Sequence, residues 1–220
     1  NDEVVIPGML QRGVSLEDAR DYSAIGCIEV AVPGKWGYRT TGMSFLNLMR
    51  VFQATLNDGK DTVTDQTFHG GTGTLVSFQN FDELMAAWRD QLAFYAKAAV
   101  AIDTAIDTAL EELVPDILCS TFTDDCIARG KHIKEGGAVY DWVSGLQVGV
   151  ANLGNSLAAI KKFVFEERSI SAQELMNALA SDFAGQKGEV LRLRLLNQAP
   201  KYGNDDDYVD SLVVEAYANA

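Results

Sequence analysis

Residues 81–114 contain neither glycine nor proline, and no other stretch constrains the fold as strongly. Leu84, Trp88, Leu92, Tyr95, Ala99, Ile102, Ile106 and Leu110 recur there every three or four positions, the spacing of one apolar helix face. At 1.5 Å per residue the pattern predicts a helix of about 50 Å. Such a rod is too long for a compact α/β domain of 220 residues and predicts a large barrel or bundle that it flanks. Pro115 ends it, because proline cannot continue the helical hydrogen bonding.

Shorter elements are expected on either side. Ser15-Leu16-Glu17-Asp18 reads as a capping box opening a short helix that runs out near Gly26. Residues 26–42 carry four glycines and a proline, which predicts a loop or a broken extended segment. From Ser44 the positions Phe45, Leu48, Met49, Phe52 and Leu56 keep helical spacing until Asn57-Asp58-Gly59 stops it. Residues 59–80 read as a polar surface connection. The run Ile117-Leu118-Cys119-Ser120 predicts a buried strand, which makes Cys119 a core residue. Residues 124–132 look helical, and 139–143 are a second strand candidate. Helices are expected at 152–167, 171–183, 189–197 and from about Tyr208. This alternation of helix and short buried strand predicts an α/β fold rather than an all-α one.

Composition narrows the function classes. The formal charge of −13 argues against nucleic acid and anionic membrane as partners, since both require a cationic surface. No run of about 18 apolar residues is present to span a membrane. The three cysteines, Cys27, Cys119 and Cys126, form no even-numbered framework, which fits a reducing, cytoplasmic location.

Most motif-like stretches have an ordinary reading. The glycines of "HGGTGT" (residues 69–74) match neither a phosphate-binding loop nor a dinucleotide fingerprint, so a flexible turn is expected. Asp205-Asp206-Asp207 reads as helix capping rather than a cation site. The cysteines and histidines lack metal-ligand spacing, so no metal is expected. Cys27 and Glu29 are less settled. In an extended backbone, side chains at i and i+2 share a face about 6.5–7 Å apart, so one small molecule can touch thiol and carboxylate together. A structural cysteine, a metal ligand and a thiolate nucleophile all remain open for Cys27.

Three separated segments carry further information: "YSAIGCIE", "VPDILCSTFTDDCIARGKHIKEGGAVYDWVSGLQVGVANLGNSLAAIKK" and "APKYGNDDDYVD". In order and spacing they resemble the glycyl radical enzymes, the pyruvate formate-lyase superfamily, over essentially all 220 residues. The resemblance implies an α/β fold that is part of a ten-stranded barrel with long flanking helices. It places Gly-Cys-x-Glu on a loop at the barrel centre, with Cys27 as the thiyl-radical residue and Glu29 as the general base. Ile28 after Cys27 departs from the paired cysteines of pyruvate formate-lyase itself. Val30 followed by "AVPGKWGYRTTGMSF" looks most like the 4-hydroxyproline dehydratases.

On that resemblance Trp36 and Tyr38 are expected beside the substrate, with packing of the loop as the other reading. The chain is expected to be an internal portion of the barrel domain, inactive alone. It would need a glycyl radical outside these residues, installed by a radical-SAM activating enzyme, and the full-length enzyme would be a homodimer acting on a small molecule in anaerobic metabolism. The implied activity is a dehydratase acting on 4-hydroxyproline or another small hydroxylated metabolite. Other chemistries of the family (diol dehydration, arylacetate decarboxylation, C–N or C–S cleavage, acetyl transfer) and a non-catalytic module derived from such an enzyme are the alternatives.

Overall fold

A computed structural model of the chain describes residues 1–26, 29–41, 44–142 and 145–218. In chain order the elements begin with helices α1 (Asp2–Gln11) and α2 (Leu16–Arg20) and strands β1 (Ser23–Ile25) and β2 (Glu29–Ala31). A 3-10 turn at Tyr38–Thr41, strand β3 (Phe45–Asn47) and helix α3 (Leu48–Leu56) follow. Next come α4 (Phe81–Leu113), α5 (Ile117–Thr121), α6 (Cys126–Arg129) and β4 (Leu146–Val148). The remaining helices are α7 (Val150–Ile160), which widens into a π-turn at Lys161–Glu166, α8 (Ala172–Ala180), α9 (Gly185–Gln198) and α10 (Asp207–Tyr217). β1 pairs with β2 and β3 with β4. These two-stranded sheets, with strands of three residues each, do not by themselves close a barrel. Among the described residues no helix is long and apolar enough to cross a membrane.

The chain divides into two units, Asn1–Phe45 with Ala99–Leu146, and Leu46–Ala98 with Gln147–Ala220. The second holds the larger core. Leu48, Val51, Phe52 and Leu56 of α3, Leu84, Trp88 and Leu92 of α4, Leu153 and Leu157 of α7, and Val209 and Leu212 of α10 are all buried together. Trp88 is fully enclosed, and its indole N–H donates to the Ala216 carbonyl at 3.1 Å, which satisfies the one polar atom its ring brings inside. The first unit has a smaller core of Met9, Val14, Ala19 and Val32, with Trp36, Tyr140 and Trp142 packed against it.

Several helix ends follow the expected chemistry. Ser15 caps α2 by accepting from the Asp18 N–H at 3.1 Å, although the helix ends at Arg20, where β1 takes over. Asp206 caps α10 by accepting from the Tyr208 N–H at 3.0 Å. At the start of α4, Asn80 accepts from the Glu83 N–H while the Glu83 carboxylate reaches back to the Gln79 N–H, a reciprocal cap.

Four expectations need correction. Residues 117–120 are helical, not a buried strand: Asp116 caps α5 through the Cys119 N–H at 2.9 Å. Ile117, Leu118 and Cys119 are consequently exposed, so Cys119 is not a core residue. In the 139–143 segment, of which Val143 lies outside the described residues, pairing is limited to one bridge between Tyr140 and Trp36. The helix expected from Ser44 begins at Leu48, because 45–47 pair as β3 and Asn47 caps α3. Finally, the apolar stripe of α4 holds only in its first half. Beyond Ala98, Ile102 and Ile106 are exposed while Asp103 and Asp107 turn inward.

Candidate active site

The antiparallel register of β1 and β2 pairs Ser23 with Ala31, Ala24 with Val30 and Ile25 with Glu29. Gly26 follows β1 directly. Cys27 and Ile28 lie outside the described residues, but both flanks are defined. Gly26 has φ +61°, the left-handed region in which a Cβ is strained. A Cβ there would also meet Glu29 Oε2 at 2.7 Å. The Glu29 side chain is thus folded against the Gly26 backbone, and Glu29 is buried, at 8% exposure. A buried carboxylate two positions beyond Cys27, at the start of β2, can accept a proton from a group brought close to it.

The segment that follows β2 is tied down at each step. Trp36 bridges to Tyr140, and the Gly37 N–H donates to the Tyr140 carbonyl at 2.7 Å. The Trp36 ring packs edge-on against Trp142, with centroids 4.8 Å apart, and lies 5.7 Å from Tyr140. Tyr38 donates its hydroxyl to Asp107 Oδ1 at 2.6 Å, and the Lys134 ammonium lies 5.5 Å from its ring centroid. Burial, and then the Asp107 hydrogen bond, hold the Tyr38 phenol well above its ordinary pKa, so it stays a neutral donor at every physiological pH. Both aromatic residues therefore have protein partners of their own.

Around them stands a charged cluster that local sequence patterns do not announce. Arg39 donates through Nη1 to Asp107 Oδ2 and through Nη2 to Asp141 Oδ2, the latter at 3.1 Å. Ser44 donates to Asp103 at 2.9 Å. On the other side of Tyr140, Asp18 accepts from Lys35 at 2.5 Å and from the Tyr140 hydroxyl at 2.7 Å. These two bonds, Lys35 first, hold the Asp18 carboxyl down at about 2. The available signal was the i, i+4 pair Asp103 and Asp107 in α4.

Other candidates resolve quietly. The turn at "HGGTGT" is ordered around a carboxylate of its own chain: Asp58 Oδ1 accepts from the Gly71 and Gly73 N–H groups, each at 2.8 Å. His69 stacks on Phe94 with centroids 4.8 Å apart and lies 3.2 Å from Asp90. Cys126 is buried, and that burial raises its thiol pKa. Among the described residues no group of three or more His, Cys, Asp or Glu could hold a metal ion. The second unit carries a cavity of about 830 Å³ whose lining includes Phe52, Leu175, Met176, Phe183 and Leu195; it contains none of the expected site residues.

A buried carboxylate on a hairpin beside a Gly-Cys sequence, within a mixed α/β chain, defines a class. The chain belongs to the pyruvate formate lyase-like family, whose model matches residues 1–220; these are the glycyl radical enzymes. It is 57% identical over 219 residues to the Escherichia coli K12 protein named "Probable dehydratase YbiW", covering 99% of this chain and 27% of that one. It is 34% identical over 219 residues to trans-4-hydroxy-L-proline dehydratase of Clostridioides difficile, again covering 99% of this chain and 27% of the relative. Among solved structures, the B12-independent glycerol dehydratase of Clostridium butyricum superposes with a TM-score of 0.90 at 40% identity, covering 100% of this chain and 27% of that one. The chain thus spans about a quarter of the length of the proteins it matches.

Proposed function

We propose that the protein containing this chain is a glycyl radical dehydratase, with Cys27 as the hydrogen-abstracting residue and Glu29 as the base. The observation that carries this reading is the buried Glu29 carboxylate, packed on Gly26 at the start of β2. A thiyl radical at Cys27 takes a hydrogen atom from a substrate carbon bearing a hydroxyl, leaving a carbon radical and a closed-shell thiol. Glu29 takes the hydroxyl proton. The resulting ketyl expels the hydroxyl of the neighbouring carbon, which departs as water with a proton returned from Glu29. The product radical then recovers a hydrogen atom from the Cys27 thiol. Water and oxygen must be kept out while the radicals exist, which fits a site enclosed in the ten-stranded barrel of the whole enzyme.

The substrate in this reading is a small hydroxylated metabolite. The 40% identity to a glycerol dehydratase supports a vicinal diol, for which these steps are written. The 34% identity to a hydroxyproline dehydratase supports 4-hydroxyproline, where the carbon that loses hydrogen bears the ring nitrogen. There Glu29 takes the N–H proton, and the nitrogen lone pair replaces the ketyl oxygen in expelling the one hydroxyl as water. Trp36 and Tyr38 would act at the edge of this site, through the segment that bounds it. A radical-SAM activating enzyme would install the glycyl radical that charges Cys27, and the whole enzyme would be a homodimer. The test is anaerobic assay of the activated full-length protein against hydroxyproline, glycerol, propanediol and pyruvate, with Cys27→Ser and Glu29→Gln alongside. Both variants should keep the glycyl radical signal in electron paramagnetic resonance, Cys27→Ser losing all turnover and Glu29→Gln at least about 100-fold. Turnover surviving in Cys27→Ser would overturn the assignment.

A further inference from the structure

The polar groups that face the site segment come from parts of the chain far from it, and they converge on one side chain. Arg39 is only 15% exposed. Its guanidinium is held by two carboxylates, Asp107 from α4 and Asp141 from the segment after α6. Asp107 accepts at its other oxygen from Tyr38, the residue before Arg39. One turn earlier on α4, Asp103 holds Ser44. The stretch from Tyr38 to Ser44 is therefore fastened at both ends to one face of a single helix. Gly37 completes the arrangement: a Cβ there would stand 2.4 Å from Asp141 Oδ1, so only glycine lets the backbone come this close.

This cluster is a costly way to hold a loop. Two carboxylates and a guanidinium must be partly stripped of water, and an apolar contact of similar size holds surfaces together at least as well. What a two-armed guanidinium supplies instead is direction, because its planar fork accepts partners only at fixed angles. The strand fixed by that direction is β2: it packs against the 3-10 turn that carries Tyr38 and Arg39, and its first residue is Glu29.

We propose that Arg39, clamped between Asp107 and Asp141, is a positioning residue that sets the placement of Glu29 against α4. Arg39 acts through β2 rather than by touching substrate. The inference rests on the reading of Glu29 as the base. An error of about 1 Å in a reacting group is enough to cost about 100-fold in rate.

The experiment uses the activated full-length enzyme and the substrate that the wild type turns over in the panel above. Arg39→Ala should keep the glycyl radical signal, lower the melting temperature because Asp107 and Asp141 are left unpaired, lose about 100-fold in kcat in the folded enzyme, and change KM by less than about threefold. Arg39→Lys should recover roughly tenfold of that loss, because an ammonium keeps the charge but not the two-armed fork. Asp141→Asn retains the shape of the clamp and removes one charged arm; it should lose roughly tenfold in kcat, and it carries the test if Arg39→Ala does not fold. An unchanged kcat in Arg39→Ala, or in Asp141→Asn where that variant stands in, overturns the proposal, as does a loss confined to KM. Cys27→Ser run in parallel separates the two claims. An active Cys27→Ser overturns the radical assignment, whereas an inactive one beside a fully active Arg39→Ala overturns the clamp alone.

Discussion

Gly26 and Gly37 stand at the two ends of the site segment, and each lets backbone approach a carboxylate more closely than any side chain would permit. For Gly26 there are two penalties to substitution. Alanine in the left-handed region costs about 1–2 kcal/mol, and its methyl group would displace Glu29 Oε2. Gly26→Ala in the full-length enzyme should therefore fold, form its glycyl radical and lose at least about tenfold in kcat. Wild-type kcat in that variant would mean that the carboxylate position is irrelevant to turnover. Glu29 was picked out from the sequence through the Gly-Cys-x-Glu resemblance, in which glycine, cysteine and carboxylate fall within four residues. Arg39 was not, since its partners lie 68 and 102 positions away and no local pattern records a pairing over that distance.

At the scale of elements, α4 shows what periodicity reveals and what it leaves open. Its length and limits were predicted to within a residue, because an unbroken run without glycine or proline leaves little alternative. Which face packs is decided by what lies opposite. The first half meets the apolar sides of α3 and α10, and Trp88 disappears into that core. The second half meets a polar loop, so Asp103 and Asp107 turn inward while Ile102 and Ile106 do not. α5 fails differently. Four residues in a row are too few to tell strand from helix by hydrophobicity, and the Asp116 cap makes the choice. Trp88→Ala should cost about 3–5 kcal/mol, seen as a lower urea midpoint at unchanged slope; a shift under about 1 kcal/mol would show that the ring is not a core anchor.

For the molecule as a whole, the two units differ in what holds them. The second rests on its large apolar core. The first has a smaller apolar cluster built on Met9, Val14, Ala19 and Val32, beside the ionic junction of Asp18, Lys35 and Tyr140. Asp18 has its folded pKa depressed from the ordinary 3.8 to about 2. Its contribution to stability is therefore complete above pH 4 and is lost as the pH falls toward 2. Hydrogen exchange followed by mass spectrometry should show peptides from residues 1–45 losing protection in that window before those from 150–217. Asp18→Asn should abolish the difference, and simultaneous loss in the wild type would contradict this account.

The Asp58 turn has a consequence on the same scale. Converging backbone N–H groups normally work as a vacant socket for anions, but here the plug for the Gly71 and Gly73 pair is wired into the chain thirteen residues before Gly71. The chain as a whole carries a formal charge of −13. A phosphorylated metabolite arriving at this turn would therefore meet a socket already filled. The glycines of "HGGTGT" serve as internal insulation, spending two backbone N–H groups on one of the molecule's own carboxylates.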